Sequence, residues 1–341
     1  GIITQKGLAD VIKQELSNPL IRNSVITLIF SAIIIGNASY EAGNIGGATL
    51  GMEALFGLSY NNLYPVILGL AAFSLLFFGN YKSLEKVFIF LVLIMSLSFV
   101  MTAVLTQPNL WELVKGLFVP SIPEDGILTI IALVGTTVVP YNLFLHAALV
   151  SEKWKSEKDL KLAKRDTLVS IILGGLVSIS IIISAAAIKS TEVNNVLDMA
   201  KALEPLYGSA ALYFMGIGLL SAGITSAITA PLAAAYVANS CFGWKAEFKD
   251  AKFRFIWILI LVLGVVFLSF GIKPIEIIKF AQITNGLLLP IIAIFLLWVV
   301  NRVGVMGKYK NTLVQNCIGL AIILLSILLG AKSILTVLGL F

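Results

Sequence analysis

Nine runs of roughly twenty or more apolar residues follow one another along this chain, at about 24–56, 61–79, 87–106, 127–151, 167–188, 208–238, 253–272, 275–300 and 314–339. No water-bounded core could bury so many. The composition agrees: 59% of residues are hydrophobic, 12% are charged, and the mean hydropathy is +0.99. Hydrocarbon offers backbone amides no partner, so a spanning segment must satisfy its own as a helix or close into a barrel. The runs are continuous rather than alternating in ten-residue units, which excludes the barrel. The sequence therefore predicts an all-α integral membrane protein with nine transmembrane helices.

The basic residues set an orientation. Assigned to alternate sides of the nine spans, with Arg254 at the edge of its span counted with the connection before it, 18 of the 24 Lys and Arg fall on one side and 4 on the other, with Lys279 and Lys332 inside spans. Cytoplasmic connections carry such an excess, which places the N-terminus and the loop EKWKSEKDLKLAKR (152–165) in the cytoplasm and Phe341 outside. The net charge of +6 is thereby explained by topology, with no call for nucleic acid. Cys241 and Cys317 are too few and too far apart for a disulfide framework or a metal cluster. The opening GIITQKGLADVIKQELSNP is an amphipathic polar stretch without an initiator Met, as expected of a chain whose beginning is missing. Residues 1–23 read as a cytoplasmic loop-like segment and 24–341 as a single transmembrane domain.

Most spans carry little that is polar, so the exceptions are informative. The first holds Asn37, Glu41 and Asn44 at spacings of four and three, which puts them on one helical face. An ionisable group there costs at least ~2.5 kcal/mol on insertion scales and is a functional candidate by default. The fourth span, IIALVGTTVVPYNLFLHAALV, places Gly135 and Pro140 around Thr136 and Thr137, so its hydrogen-bond ladder must break near the centre. Backbone freed at that depth is tolerated only where it lines a cavity or finds a partner. The sixth span carries Ser221, Thr225, Ser226 and Thr229 before Pro231, and the eighth carries Gln282, Thr284, Asn285 and Gly286 before Pro290. Against these stand plainer readings: Ser and Thr bond their own helix, Gly47 and Gly51 let helices approach, and a single histidine, His146, is a satisfied core residue. No nucleophile–base set, phosphate loop, CxxC or HExxH motif is present, so enzyme chemistry is not expected. A polar-lined, interrupted helix in a plain bundle argues for movement of a solute across the membrane.

The segment GTTVVPYNLFLHAALV (135–150) resembles the sixth-helix signature of the NRAMP divalent-metal transporters. Further segments match in order and spacing: GIITQKGLADVI with the cytoplasmic loop before that family's third helix, TQPNLWELVKGLFVPSIP (106–123) with the external loop before its sixth, and VMGKYKN (305–311) with the loop before its eleventh. The resemblance covers nearly the whole chain and makes the nine spans the family's third to eleventh helices, the first two being absent. It implies a LeuT-like bundle of inverted repeats with broken helices meeting at the midplane. The family's Asp-Pro-Gly-Asn motif of the first helix, a source of metal ligands, is not found here.

Carried over position by position, the resemblance assigns metal contact to the Thr136 carbonyl and to Val139, where the family has a thioether. Gln282 and Asn285 fall where the tenth helix faces the site. Loss of the soft sulfur favours hard ions such as Mg²⁺ and Mn²⁺. Asn37, Glu41, Asn44, Tyr141, Asn142 and His146 would line the ion pathway, with Glu41 attracting cations or accepting protons rather than binding metal directly. Asn44 replaces an acid and Tyr141 a histidine, which thins any proton relay and resembles the NRAMP-related magnesium transporters. Gly135 and Pro140 are the hinge candidates. The expectation is a multi-pass protein of a prokaryotic plasma membrane that moves a divalent cation, Mg²⁺ ahead of Mn²⁺, by alternating access. It needs no cofactor and no obligate protein partner, only the lipid bilayer and its metal substrate. The alternatives are an amino-acid or organic-solute symporter of the same fold and a membrane metal sensor that does not transport.

Overall fold

In a computed structural model, residues 1–60, 62–79, 81–119, 121, 126, 130, 139–186, 208, 210–244, 246–270 and 288–337 are described. The chain enters through a short amphipathic helix, α1 (Leu8–Glu15), which buries Leu8, Ala9, Val11 and Ile12. Asp10 in its first turn and Lys13 in its last complement the helix dipole. The stretch matched by sequence to a cytoplasmic loop is thus partly helical, because its apolar residues share one face that the bundle covers. Helix α2 (Pro19–Phe56) follows, and the expected start at residue 24 moves to Pro19. Asn18 causes the shift: its side-chain oxygen accepts the N–H groups of Leu20 and Ile21 at 2.9 and 3.4 Å, and Pro19 supplies a pre-set φ at the first helical position.

At 38 residues α2 is roughly 57 Å long, well beyond a hydrocarbon thickness of about 30 Å, so it tilts or projects past the bilayer. It stops at Gly57, whose φ of +85° carries the chain into α3 (Tyr64–Phe78). Tyr64 Oη donates to the Gly57 carbonyl at 2.9 Å and ties that turn down. Then come α4 (Tyr81–Leu105) and a nine-residue amphipathic helix α5 (Leu110–Phe118), capped by Asn109, within the segment matched to an external loop. Helices α6 (Pro140–Lys153), α7 (Leu160–Ala186), α8 (Ala210–Phe242), α9 (Ala251–Ser269), α10 (Leu288–Val300) and α11 (Leu313–Val337) complete the order. Among the described residues, helices lie within each of the nine expected spans, covering only the C-terminal parts of the fourth and eighth. The chain bends by 68° between α10 and the one-turn helix that follows it. Asn301 and Asn316 exchange amide hydrogen bonds of 2.7 and 2.8 Å there and hold α11 to the bend.

Helix α8 is the central post. It packs most extensively against α2, then against α4 and α9, while α9 also lies along α2. Small residues make the α2–α8 seam possible: a Cβ on Gly51 would lie 2.6 Å from the Leu220 amide nitrogen and 2.7 Å from the Gly216 carbonyl oxygen. One on Gly223 would collide with the Ala48 backbone. Backbones this close gain dispersion contact that a larger side chain would forbid. Gly47, read with Gly51 as a packing glycine, has open space at its Cβ. On the far side, Phe253, Trp257 and Ile260 of α9 fill a core with Leu68 and Leu76 of α3 and Ile228 of α8. The outer faces of α4, α7 and α11 leave Phe90, Leu93, Ile171, Ile172 and Leu328 bare. An apolar belt of that size would not be tolerated in water and is the surface that lipid covers.

Candidate functional site

The fourth span is interrupted where its sequence demands. Val139 is extended, with φ −79° and ψ 131°, and Pro140 opens α6 as its first residue. Proline has no N–H to give to a preceding turn and forces extended backbone on the residue before it, so the helix can restart here but not run through. The 14 residues of α6 cover about 21 Å, which is half a span. Its first turn is closed by the Asn142 N–H donating to the Val139 carbonyl at 3.0 Å. The Val139 side chain is buried among Ile29 and Ile33 of α2 and Ile292 of α10, so the restart lies deep in the bundle. Gly135 and Thr136, on the other side of the break, and Gln282 and Asn285 lie outside the described residues.

The polar stripe of α2 lies inside the bundle as well. Asn37 is buried and donates its Nδ2 to the Ala230 carbonyl, 3.0 Å away and next to Pro231 of α8. Glu41 is completely enclosed: Oε2 accepts a long 3.4 Å hydrogen bond from Asn44, and Oε1 has no partner among the described residues. Helix α9 approaches it so closely that a Cβ on Gly264 would lie 2.5 Å from Glu41 Cγ. Burial of a half-satisfied carboxyl is expensive. Tyr141, the second residue of α6, turns inward and meets Tyr40 of α2 edge-on, with ring centroids 6.1 Å apart. The break and the two phenols therefore come together where α2 and α6 face each other, with Glu41 next to Tyr40 along α2.

Not every expected pathway residue joins it. Asn142 and His146 sit one turn apart on an exposed face of α6, away from Tyr141. His146 lines a shallow groove between α6 and α7 with Lys164, Thr167 and Leu168. The histidine read from sequence as a satisfied core residue is on the surface of the described bundle. In α8, Thr225 and Thr229 donate to the carbonyls of Ser221 and Thr225 at 2.7 and 2.8 Å, which is the plain reading of membrane Thr residues. Sequence reasoning missed Tyr40, because an aromatic next to Glu41 looks like ordinary span material until α6 packs against it. Among the described residues no three of His, Cys, Asp or Glu converge. Any ion held here would meet carbonyl, amide, phenol and one carboxyl oxygen.

A family model described as natural resistance-associated macrophage protein-like matches residues 1–336. The chain belongs to the Nramp family. Curated relatives include proteins named divalent metal cation transporter MntH: that of Yersinia pestis (strain Pestoides F) is 29% identical over 293 residues, which is 80% of this chain and 70% of the relative. Its counterpart in Pectobacterium carotovorum (strain PC1) is 30% identical over the same length and shares. Among solved structures, a mutant form of the Eremococcus coleocola manganese transporter superposes with a TM-score of 0.77 at 19% identity, covering 99% of this chain and 76% of the other. Agreement that complete fixes the fold as the LeuT-like helical bundle of the Nramp transporters.

Proposed function

We propose that this Nramp chain carries divalent metal cations across a membrane by alternating access. The reading rests above all on the interrupted helix at Val139–Pro140, buried where Tyr141 meets Tyr40, the chain neighbour of the enclosed Glu41. Interrupted backbone at membrane depth presents partial charges to an ion without the desolvation cost of a cluster of buried carboxylates. A single carboxyl set among amides and phenols suits hard ions better than thiophilic ones, which favours Mg²⁺ and Mn²⁺. The names of the curated relatives point the same way.

On this reading α6 is the moving half-helix, Pro140 its hinge, and α2, α8 and α9 the scaffold. The Thr136 carbonyl, Val139, Gln282 and Asn285 surround the ion, and Asn37, Glu41, Asn44 and Tyr141 border its route. The end of the bundle bearing the 152–165 loop faces the cytoplasm. Hydrogen bonds tie Gln5 to Trp154 and Asp10 to Ser240, and an ion pair ties Glu15 to Arg302, so several basic connections do gather at one end. Flux into proteoliposomes under an imposed gradient of Mg²⁺ or Mn²⁺ tests the proposal. Saturable uptake of either ion supports it; binding without flux would make the protein a sensor, and uptake competed by amino acids but not by metals would make it an organic-solute symporter.

A further inference from the structure

A bundle that rocks must part at one end, and at the end bearing the basic connections the parts are pinned by α1. Its apolar face is fully inserted: Ala9 and Ile12 are completely buried, in a core shared with α2, α6, α8 and α10. Polar contacts then tie it to separate pieces. Ser240, near the end of α8, accepts the Asp10 N–H at 2.9 Å and donates its hydroxyl to Asp10 Oδ2 at 2.8 Å. Lys13 reaches the Cys241 carbonyl at 3.4 Å. Just before α1, Gln5 donates to the carbonyl of Trp154, the residue on which α6 ends. At its far end Glu15 pairs with Arg302, in the bend between α10 and α11, at 3.0 Å.

These partners differ in what they would do during transport. Helix α8 is scaffold, joined to α2 along a glycine seam, whereas α6 is the half-helix beyond the break. Few elements in the described bundle grip both. Only Leu16, Ser17 and Asn18 separate α1 from α2, so it can swing without dragging the scaffold. An eight-residue helix has no stability of its own in water, and its fold depends on the docked position. The ion pair with Arg302 is half-exposed and each hydrogen bond contributes only on the order of 1 kcal/mol net, which makes release reversible.

We propose that α1 is a latch: docked as in this structure, it holds α6 against α8 and closes that end of the bundle, and its release frees α6 to move. The proposal rests on the transport reading for its purpose, but not for its first test. Cys241 lies beneath α1 and is 2% exposed, whereas Cys317 is exposed. In a Cys317→Ser background of the full chain in nanodiscs, Cys241 reports latch opening through its rate of modification by a small maleimide. Glu15→Gln and Ser240→Ala should each raise that rate about three- to tenfold, the range expected for the loss of one hydrogen bond or ion pair. Glu15→Gln removes a contact distant from the thiol and so controls for the neighbouring Ser240 change. Rates unchanged in both variants overturn the proposal.

The second test closes the latch. A Cβ on Gly7 would lie 3.2 Å from Ser240 Cβ, within a few tenths of an ångström of disulfide spacing. Gly7→Cys with Ser240→Cys, in a chain carrying Cys241→Ser and Cys317→Ser, should lose metal uptake on oxidation and regain it with reductant. Equal uptake in oxidised and reduced forms overturns the latch. If Cys241 reactivity rises as expected but the unmodified chain moves no metal, α1 opening stands and the transport reading falls.

Discussion

Helices α2 and α6 solve the same problem, a polar backbone in a medium without water, in opposite ways. Helix α2 runs 38 residues without a break and uses Gly51 for close contact, meeting the α8 backbone directly. Helix α6 begins in mid-bundle at Pro140, and its N-terminal residue Val139 is extended. The first arrangement satisfies every amide internally and leaves nothing free to act. The second starts a helix deep in the bundle, where an interruption is tolerated if it is buried in protein or lines a cavity. Tyr40 and Tyr141, one from each helix, meet edge-on at the join, and Glu41 follows Tyr40 in α2. One side of the join is a continuous helix packed on its neighbours, and the other is a helix that starts afresh inside the bundle.

The contrast breaks most readily on the rigid side. Gly51→Val would drive a branched side chain into the Leu220 and Gly216 backbones, which cannot yield as a flexible side chain would. We expect a loss of about 3 kcal/mol and little monodisperse protein by fluorescence-detected gel filtration, the upper end of what overpacking a tight core typically costs. Normal yield would mean that the seam is looser than described. A smaller effect is expected at the join. Glu41→Gln keeps the shape and removes the charge, so folding should persist while uptake at low metal concentration falls on the order of tenfold, equivalent to ~1.4 kcal/mol. Uptake that is unchanged across metal concentration and pH would make the α2 stripe merely structural.

Smaller still is the change expected at the break itself. Val139→Met restores a thioether at the buried start of α6 and should shift selectivity from Mg²⁺ toward Mn²⁺ or Cd²⁺ by about threefold to tenfold, read from competition in the same uptake assay. The mildest test concerns α1. Burial holds the Asp10 carboxyl above the usual carboxylate range, against the opposing effects of the Ser240 hydroxyl, the Gly7 N–H and the charges of Lys13 and Lys6, with the Cys241 thiol also nearby. Because the docked state raises this pKa, Asp10 favours docking in acid, and that contribution is lost as pH rises through the raised value. Asp10→Asn should therefore slow amide exchange at Val11 and Ile12 by about twofold at neutral pH, after correction for intrinsic rates, and flatten its pH dependence. Faster exchange in Asp10→Asn would show that the charged form is the better partner for Ser240.

How much of this was legible beforehand depends on the range of the interaction concerned. The length and hydrophobicity of each run sufficed for the spans, because a solvent without hydrogen bonds leaves the backbone one local solution. The break at Val139 was legible for the same reason: proline acts on its own turn and the residue before it, whatever lies around them. The start of α2 at Pro19 was written locally too, in Asn18, although the apolar run alone hid it.

Contacts between helices were another matter. Gly47 and Gly51 are indistinguishable as letters, yet one faces open space and the other a backbone at 2.6 Å, because the choice depends on which neighbour lies alongside. Asn37, Glu41 and Asn44 declared a common face but not that Gly264 would close over the carboxyl. His146 looked like a buried residue and lies exposed, since the rotation of α6 is fixed by Tyr141 and Phe144 packing inward. The chain thus specified by itself its helices, their interruption and the residue types near it. Which polar groups were sealed, which were paired and which were turned outward was decided by packing, because burial is a property of surfaces that meet only after the helices have formed.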